Sequence, residues 1–331
     1  MKNNNNNVMF GAGSFKYEKN LIDEINDTCF ILDTVGEIPR DKNYRFINFS
    51  KETINPFDFV IRPAFLTNYD FDKGYIEVDF SDHCDYLVDL FEAIGNFKLL
   101  PEEKCVIDRT LITIYRPYKE YLINNKISYD NEKCPNFKDF YEKIKDNVVL
   151  ERLALALETF VDTLFFKKTS FNINPGEKIV YQTNVFEKNV SSIMEIICYH
   201  NMWANSIKLG YEKNYLFFNC PSDVIPSFIC NEIRKFRENN IFCFLRFPGK
   251  TDINDFFKNR ILMNSINNYY CFEISESDVD VLAKELYINE EEKQKIISSC
   301  CTIELPRLKL KILKSESSSG GFDKFSKPYI I

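Results

Sequence analysis

The stretch Val8-Met9-Phe10-Gly11-Ala12-Gly13-Ser14-Phe15-Lys16 does most to restrict what this chain can fold into. A helix-like segment follows at 18–27, then the apolar run 29–33 ending in Asp33. An apolar run, a glycine-containing loop, a helix and a second apolar run make a β-loop-α-β unit. Such a unit aims the free backbone N–H groups of a helix N-terminus at the loop, where a phosphate can be held. The side chains of the loop argue the other way. With Gly13 as the second glycine of G-x-x-x-x-G-K-[ST], Val8 takes the place of the first glycine, Ser14 of the lysine and Phe15 of the hydroxyl residue. Lys16 lies two places beyond the lysine position.

The remaining pattern extends that unit into a sheet. Asn3 to Asn7 are polar and of low complexity, so residues 1–7 are expected to be disordered and order to begin at residue 8. Strands are predicted at 29–33 and 44–49. The stretch 51–61 follows, in which Asn55-Pro56-Phe57-Asp58 is a turn signal that ends the strand. Between 81 and 169 the apolar spacing becomes three and four, which predicts helices over 81–97, 99–122, 136–147 and 149–166. Pro101 sits in the first turn of the second of these, and Pro117 is expected to end it. Strands at 178–184, 215–220, 241–247 and 268–274 then alternate with helices at 191–207, 227–239, 252–262, 276–288 and 290–300. Residues 307–313 read as an edge strand and 314–331 as a flexible tail. The reading is an α/β fold with a mainly parallel, doubly wound sheet over 8–80 and 170–313, and a helical subdomain over 81–169.

Composition narrows the function. A net charge of −7 over 331 residues argues against broad nucleic-acid binding, and no dense Lys/Arg run suggests a local patch. The 11 cysteines form no C-x-x-C pair, and His83 and His200 are the only histidines, which is poor material for a zinc site. Cysteines used as small apolar residues fit a reducing compartment. No apolar run reaches the roughly 20 residues that span a bilayer, and the first residues lack a signal-peptide core. A cytoplasmic protein is expected. Trp203, spaced with Tyr199 and Ile207, reads as core, and His200 as structural.

Several blocks resemble the ATPases that power type IV secretion and conjugative transfer, in particular the TraC/TraE-type proteins of mobile elements. They are 54–59 (INPFDF), 99–118, 134–144, 153–161, 202–207 (MWANSI), 232–239 and 260–292, collinear across about 8–313. The resemblance implies a RecA-like P-loop core with an all-helical subdomain, ATP and Mg²⁺ as ligands, and a hexamer working with secretion-channel proteins at the inner face of the membrane. It implies no direct contact with nucleic acid. The family's N-terminal docking domain is not seen in this sequence.

The departures fall where the family's chemistry lies. Ser14 and Phe15 replace the lysine and the Mg²⁺-binding hydroxyl. The strand that should end in an acidic pair ends in Asn219-Cys220, and Phe247, with Arg246 beside it, stands where a polar residue should sense the terminal phosphate. Gly11 and Gly13 can be a tight turn or a nucleotide contact. Asp33 and Glu37 match an acidic loop near the nucleotide end of the sheet, or are solvated acids of a turn. Arg234, with Lys235 and Arg237, matches a basic pair facing a neighbouring subunit or the phosphates, or is an exposed helix face. A degenerate, non-hydrolysing homologue is the first expectation. An active ATPase with a rearranged loop using Lys16 is the second, and a folded remnant of a mobile element the third.

Overall fold

Short runs of Phe, Leu, Ile and Val with few polar interruptions suit strands covered on both faces. A computed structural model of the chain describes residues 6–11, 14–61, 73–125, 129–161, 163, 167–210, 213–219, 232–233, 236, 240–247, 252–258, 260–272, 275–299, 302–306 and 311–313. Two compact units are present, one from residues within 1–39, 213–225 and 230–331, the other from within 40–212 and 226–229. Among the described residues the first unit holds five parallel strands, β1 (Asn6–Phe10), β2 (Thr28–Asp33), β5 (Asn214–Asn219), β6 (Ile241–Phe247) and β7 (Asn268–Cys271). Their spatial order is β2-β5-β6-β1-β7, and β8 (Thr302–Pro306) and β9 (Lys311–Leu313) continue it antiparallel. Val8 lies opposite Leu245 on one side and Tyr269 on the other. The helices of this unit are α1 (Ser14–Glu24), α7 (Asp252–Lys258), α8 (Arg260–Ser265), α9 (Glu276–Leu286) and α10 (Glu290–Ser299). The helix expected over 227–239 falls largely outside the described residues, as do 1–5 and the tail 314–331.

The first ordered strand corrects the expected disordered start. Asn6 and Asn7 belong to β1 and are buried. Asn7 Nδ2 donates to the Cys243 carbonyl at 3.1 Å, and Asn268 Nδ2 donates to Asn7 Oδ1 at 2.7 Å. Asn6 Nδ2 donates to the carbonyls of Ile233 at 2.8 Å and Ser265 at 3.0 Å. An amide side chain both donates and accepts, so it can enter a sheet interior that would reject an unpaired polar group.

The second unit pairs β3 (Arg45–Phe46) in parallel with β4 (Lys178–Gln182) and surrounds them with helices. These are α2 (Lys73–Gly95), α3 (Pro101–Asn124), α4 (Phe137–Ile144), α5 (Glu151–Glu158) and α6 (Lys188–Lys208). The helices expected over 81–169 belong to one compact unit with 40–61 and α6. Tyr115 on α3 shows why: its hydroxyl donates to the Phe57 carbonyl at 2.6 Å. No strand forms over 51–61, although Ile54, Phe59, Val60 and Ile61 are residue types that favour one. Instead Asn55 Oδ1 accepts from Phe57 N at 3.1 Å and the segment folds on itself.

Two helix ends also differ from expectation. Pro117 lies inside α3 rather than ending it. It is exposed, so the carbonyl it cannot pair remains open to water, while Leu111, Tyr115, Tyr118 and Leu122 keep the inner face buried. The helix expected over 149–166 shortens to a 3₁₀ turn at Val148–Leu150 followed by α5.

The two histidines meet in this unit. Tyr115 donates to Phe57, so its oxygen accepts from His83 Nε2 at 2.7 Å. His83 Nδ1 is then an acceptor, and His200 Nε2 donates to it at 3.1 Å. Burial pushes His83 down to about 3, and burial followed by the neighbouring His83 pushes His200 well down, so both are neutral. Trp203, Tyr199 and Ile207 are buried beside them on α6.

Candidate functional site

Side chains at the carboxyl ends of parallel strands converge where α/β sheets hold their ligands. In the first unit, β1 leads into α1 through Gly11, whose φ of 97° suits a residue without Cβ. The Gly11 amide donates to the Phe247 carbonyl at 3.0 Å. Ser14 opens α1 and its hydroxyl donates back to the Gly11 carbonyl at 2.6 Å. That hydroxyl is spent on the loop. Ser14, Glu18 and Ile22 recur every four residues and form the buried stripe of α1.

Arg246 fills the space this stripe faces. It is 1% exposed and follows apolar residues in β6. Its Nε lies 2.5 Å from Glu18 Oε2, without the alignment of a directed hydrogen bond, so charge holds the contact. Its terminal Nη2 donates to Glu37. The guanidinium carbon stands 5.4 Å from the Phe15 ring centroid. Strand alternation turns Phe247 the other way, against Phe10 at 5.7 Å and Phe256 at 5.5 Å between ring centroids. The polar residue at the end of this strand that faces the cluster is therefore Arg246 rather than Phe247.

The acids around it have defined tasks. Asp33 ends β2, and its Oδ1 accepts from the amides of Gly36 at 2.7 Å and Glu37 at 3.1 Å while Oδ2 accepts from Ile38 at 3.0 Å. This carboxylate folds the turn that delivers Glu37 to Arg246. Asn219 ends β5 and is buried; its carbonyl accepts from Thr34 Oγ1 at 3.1 Å, and its Nδ2 lies 3.5 Å from Glu37 Oε2. Its Oδ1 has no hydrogen-bond partner among the described residues. Lys16 is exposed on α1. Gly13, Cys220 and Arg234 lie outside the described residues.

Glu18 was not singled out by the sequence, and Arg246 only as a neighbour of Phe247. A single charge inside the apolar run 241–247 was the available signal, because a buried guanidinium needs a carboxylate.

Burial pushes Glu18 up to about 7, against the pull of Arg246 and with help from Glu37 and Asp33. An acid raised on folding binds more protons in the native chain than in the unfolded one between about 4.5 and 7. Stability from this group therefore falls as pH rises through that window. Glu18→Gln is expected to remove on the order of 2–3 kcal/mol of that pH dependence, read as denaturation midpoints at pH 5 and pH 8.

Mg²⁺ and a triphosphate, which the resemblance implies, do not suit this donor set. Among the described residues Asp33 is taken up by backbone amides, Glu18 and Glu37 by Arg246, and Ser14 by Gly11. The space among Phe15, Glu18, Asp33, Ile38, Asn219 and Arg246 does not admit a water molecule. Nor does any group of three or more His, Cys, Asp or Glu among the described residues have the arrangement to hold a metal ion.

No protein-family model matches the sequence, and comparison with curated proteins gives no match. Among solved structures the chain is similar to VirB4 of Thermoanaerobacter pseudethanolicus, with a TM-score of 0.73 at 16% identity over 95% of this chain and 90% of that one. A weaker similarity is to the plasmid coupling protein TrwB in complex with a non-hydrolysable ATP analogue, with a TM-score of 0.44 at 11% identity over 95% of this chain and 83% of that one. The likeness to VirB4 is one of fold: an α/β core of the RecA-like type accompanied by helices.

Proposed function

We propose that this chain, which shares its fold with VirB4, is a non-hydrolysing relative of the type IV secretion and conjugation ATPases, with a structural or regulatory part in such an assembly. One observation carries the reading: Glu18 and Glu37 both hold Arg246 where a phosphate-binding fold would hold its nucleotide. A working site of this kind needs a cation free to meet phosphate and an anion free to hold Mg²⁺. Among the described residues the cation here, Arg246, is already held by two carboxylates, and Asp33 adds negative charge that opposes a polyphosphate. The fold then serves as a scaffold, assembling with its own copies or with an intact paralogue and secretion-channel proteins. No helix among the described residues is long and apolar enough to cross a membrane.

The test is ATP turnover by the purified chain with Mg²⁺, alongside recovery of partners from native lysate. No turnover above background is expected, together with co-purification of secretion components or of a paralogue. Turnover on the order of 1 s⁻¹ or faster overturns the reading. If Lys16→Ala then abolishes it, the rearranged-loop ATPase replaces it.

A further inference from the structure

We propose that the second unit carries a binding site for a small ligand that combines a planar aromatic ring with one anionic group, of mononucleotide size. A cavity of about 560 Å³ opens between the end of α3, the segment 129–132, the segment 169–173 and the end of α6. That volume lies within the roughly 300–1,000 Å³ common for small-molecule sites. Tyr121, Tyr129 and Phe171 line it, each with a cation near one ring face: Lys133 Nζ lies 3.9 Å from the Tyr121 centroid, Lys208 Nζ 5.5 Å from that of Tyr129 and the Arg45 guanidinium carbon 5.7 Å from that of Phe171.

The charges decide which ligand fits. The acids of the wall have their own partners: Asp130 lies 4.0 Å from Lys133 Nζ, and Glu132 lies 3.5 Å from Lys168 Nζ. Lys208 has no carboxylate within salt-bridge distance among the described residues, although its charge acts on the buried Asp58; its ammonium stands 5.5 Å from the Tyr129 ring centroid. The buried Asp58 is engaged by Thr169 Oγ1 at 2.7 Å and Asn55 Nδ2 at 3.3 Å. An ammonium over a tyrosine face at the rim of a cavity leaves its outer side for an anion. A ring entering the cavity stacks on tyrosine surface while its anionic group reaches Lys208.

Titration calorimetry with adenosine 5′-monophosphate, adenosine and ribose 5-phosphate separates the ring from the charge. Adenosine 5′-monophosphate is expected to bind with a submillimolar Kd, and the other two at least tenfold more weakly. Lys208→Met keeps most of the side-chain stem at a helix end. It should weaken adenosine 5′-monophosphate about tenfold and leave adenosine unchanged. Tyr121→Leu, on the half-exposed side of α3, is the second variant and should weaken adenosine 5′-monophosphate at least fivefold. Absence of binding to the wild-type chain at 10 mM overturns the proposal. So does unchanged affinity in either folded variant, or ribose 5-phosphate binding as tightly as the nucleotide. Binding insensitive to both substitutions would place the nucleotide elsewhere, and also overturns it.

Discussion

Arg246→Ala should lower the unfolding free energy by about 3–5 kcal/mol, the usual loss when one partner of a buried ion pair is removed. Arg246 is 1% exposed and Glu18 is 2% exposed, so the carboxylate left behind cannot recover its hydration. Glu37 is better placed to escape, since its side chain keeps about a third of its surface in water. Glu18 should accept a proton, which makes the loss larger at pH 8 than at pH 5. Removing both charges tells a different story. The pair Glu18→Gln with Arg246→Met keeps similar volume without an orphan charge, and is expected to recover most of the deficit. Urea midpoints of the two single variants and the double variant complete the cycle. A loss under about 1 kcal/mol for Arg246→Ala would mean that the cluster exchanges freely with water, as an exposed pair does.

Phe57→Ala should cost about 3–5 kcal/mol, the range for deleting a buried phenyl ring. Its ring centroid lies 5.9 Å from that of Phe140, 6.2 Å from Phe137, 6.3 Å from Tyr115 and 6.4 Å from Phe91. These rings come from α2, α3 and α4, so the void opens where three helices converge. The backbone adds a second link: the Phe57 carbonyl accepts from the Tyr115 hydroxyl, which in turn accepts from His83. Phe57→Leu retains the carbonyl position and fills much of the volume, and should cost less than half as much. Equal losses for the two variants, measured by thermal or urea unfolding, would show that ring contacts are not what this position supplies.

Apolar runs revealed the parallel sheet because strands covered on both faces read continuously, and β2 and β6 match 29–33 and 241–247 almost residue for residue. Helix interiors were legible for the same reason. Ends were not: α2 begins at Lys73 rather than 81, and α5 stops at Glu158 rather than 166, helix termini being the part that local spacing defines least. The candidate site was half visible. Ser14, Phe15 and Asn219 depart by identity alone from the residues that the resemblance implies at those positions. The ion pair between residues 18 and 246 was not legible, because no periodicity links positions so far apart. Asp33 and Glu37 could be read either way until the turn amides and Arg246 claimed them.

The asparagine contacts of β1 carry a consequence for how the chain reaches this state. Phe, Leu and Ile on neighbouring strands tolerate many mutual alignments, and grease alone seldom tells one from another. Asn7 recognises one carbonyl on β6 and one amide on β7, so a misthreaded strand would leave buried amides without mates. These few polar atoms thus act as a proofreading device for sheet assembly, rejecting kinetic traps that a wholly oily strand would accept.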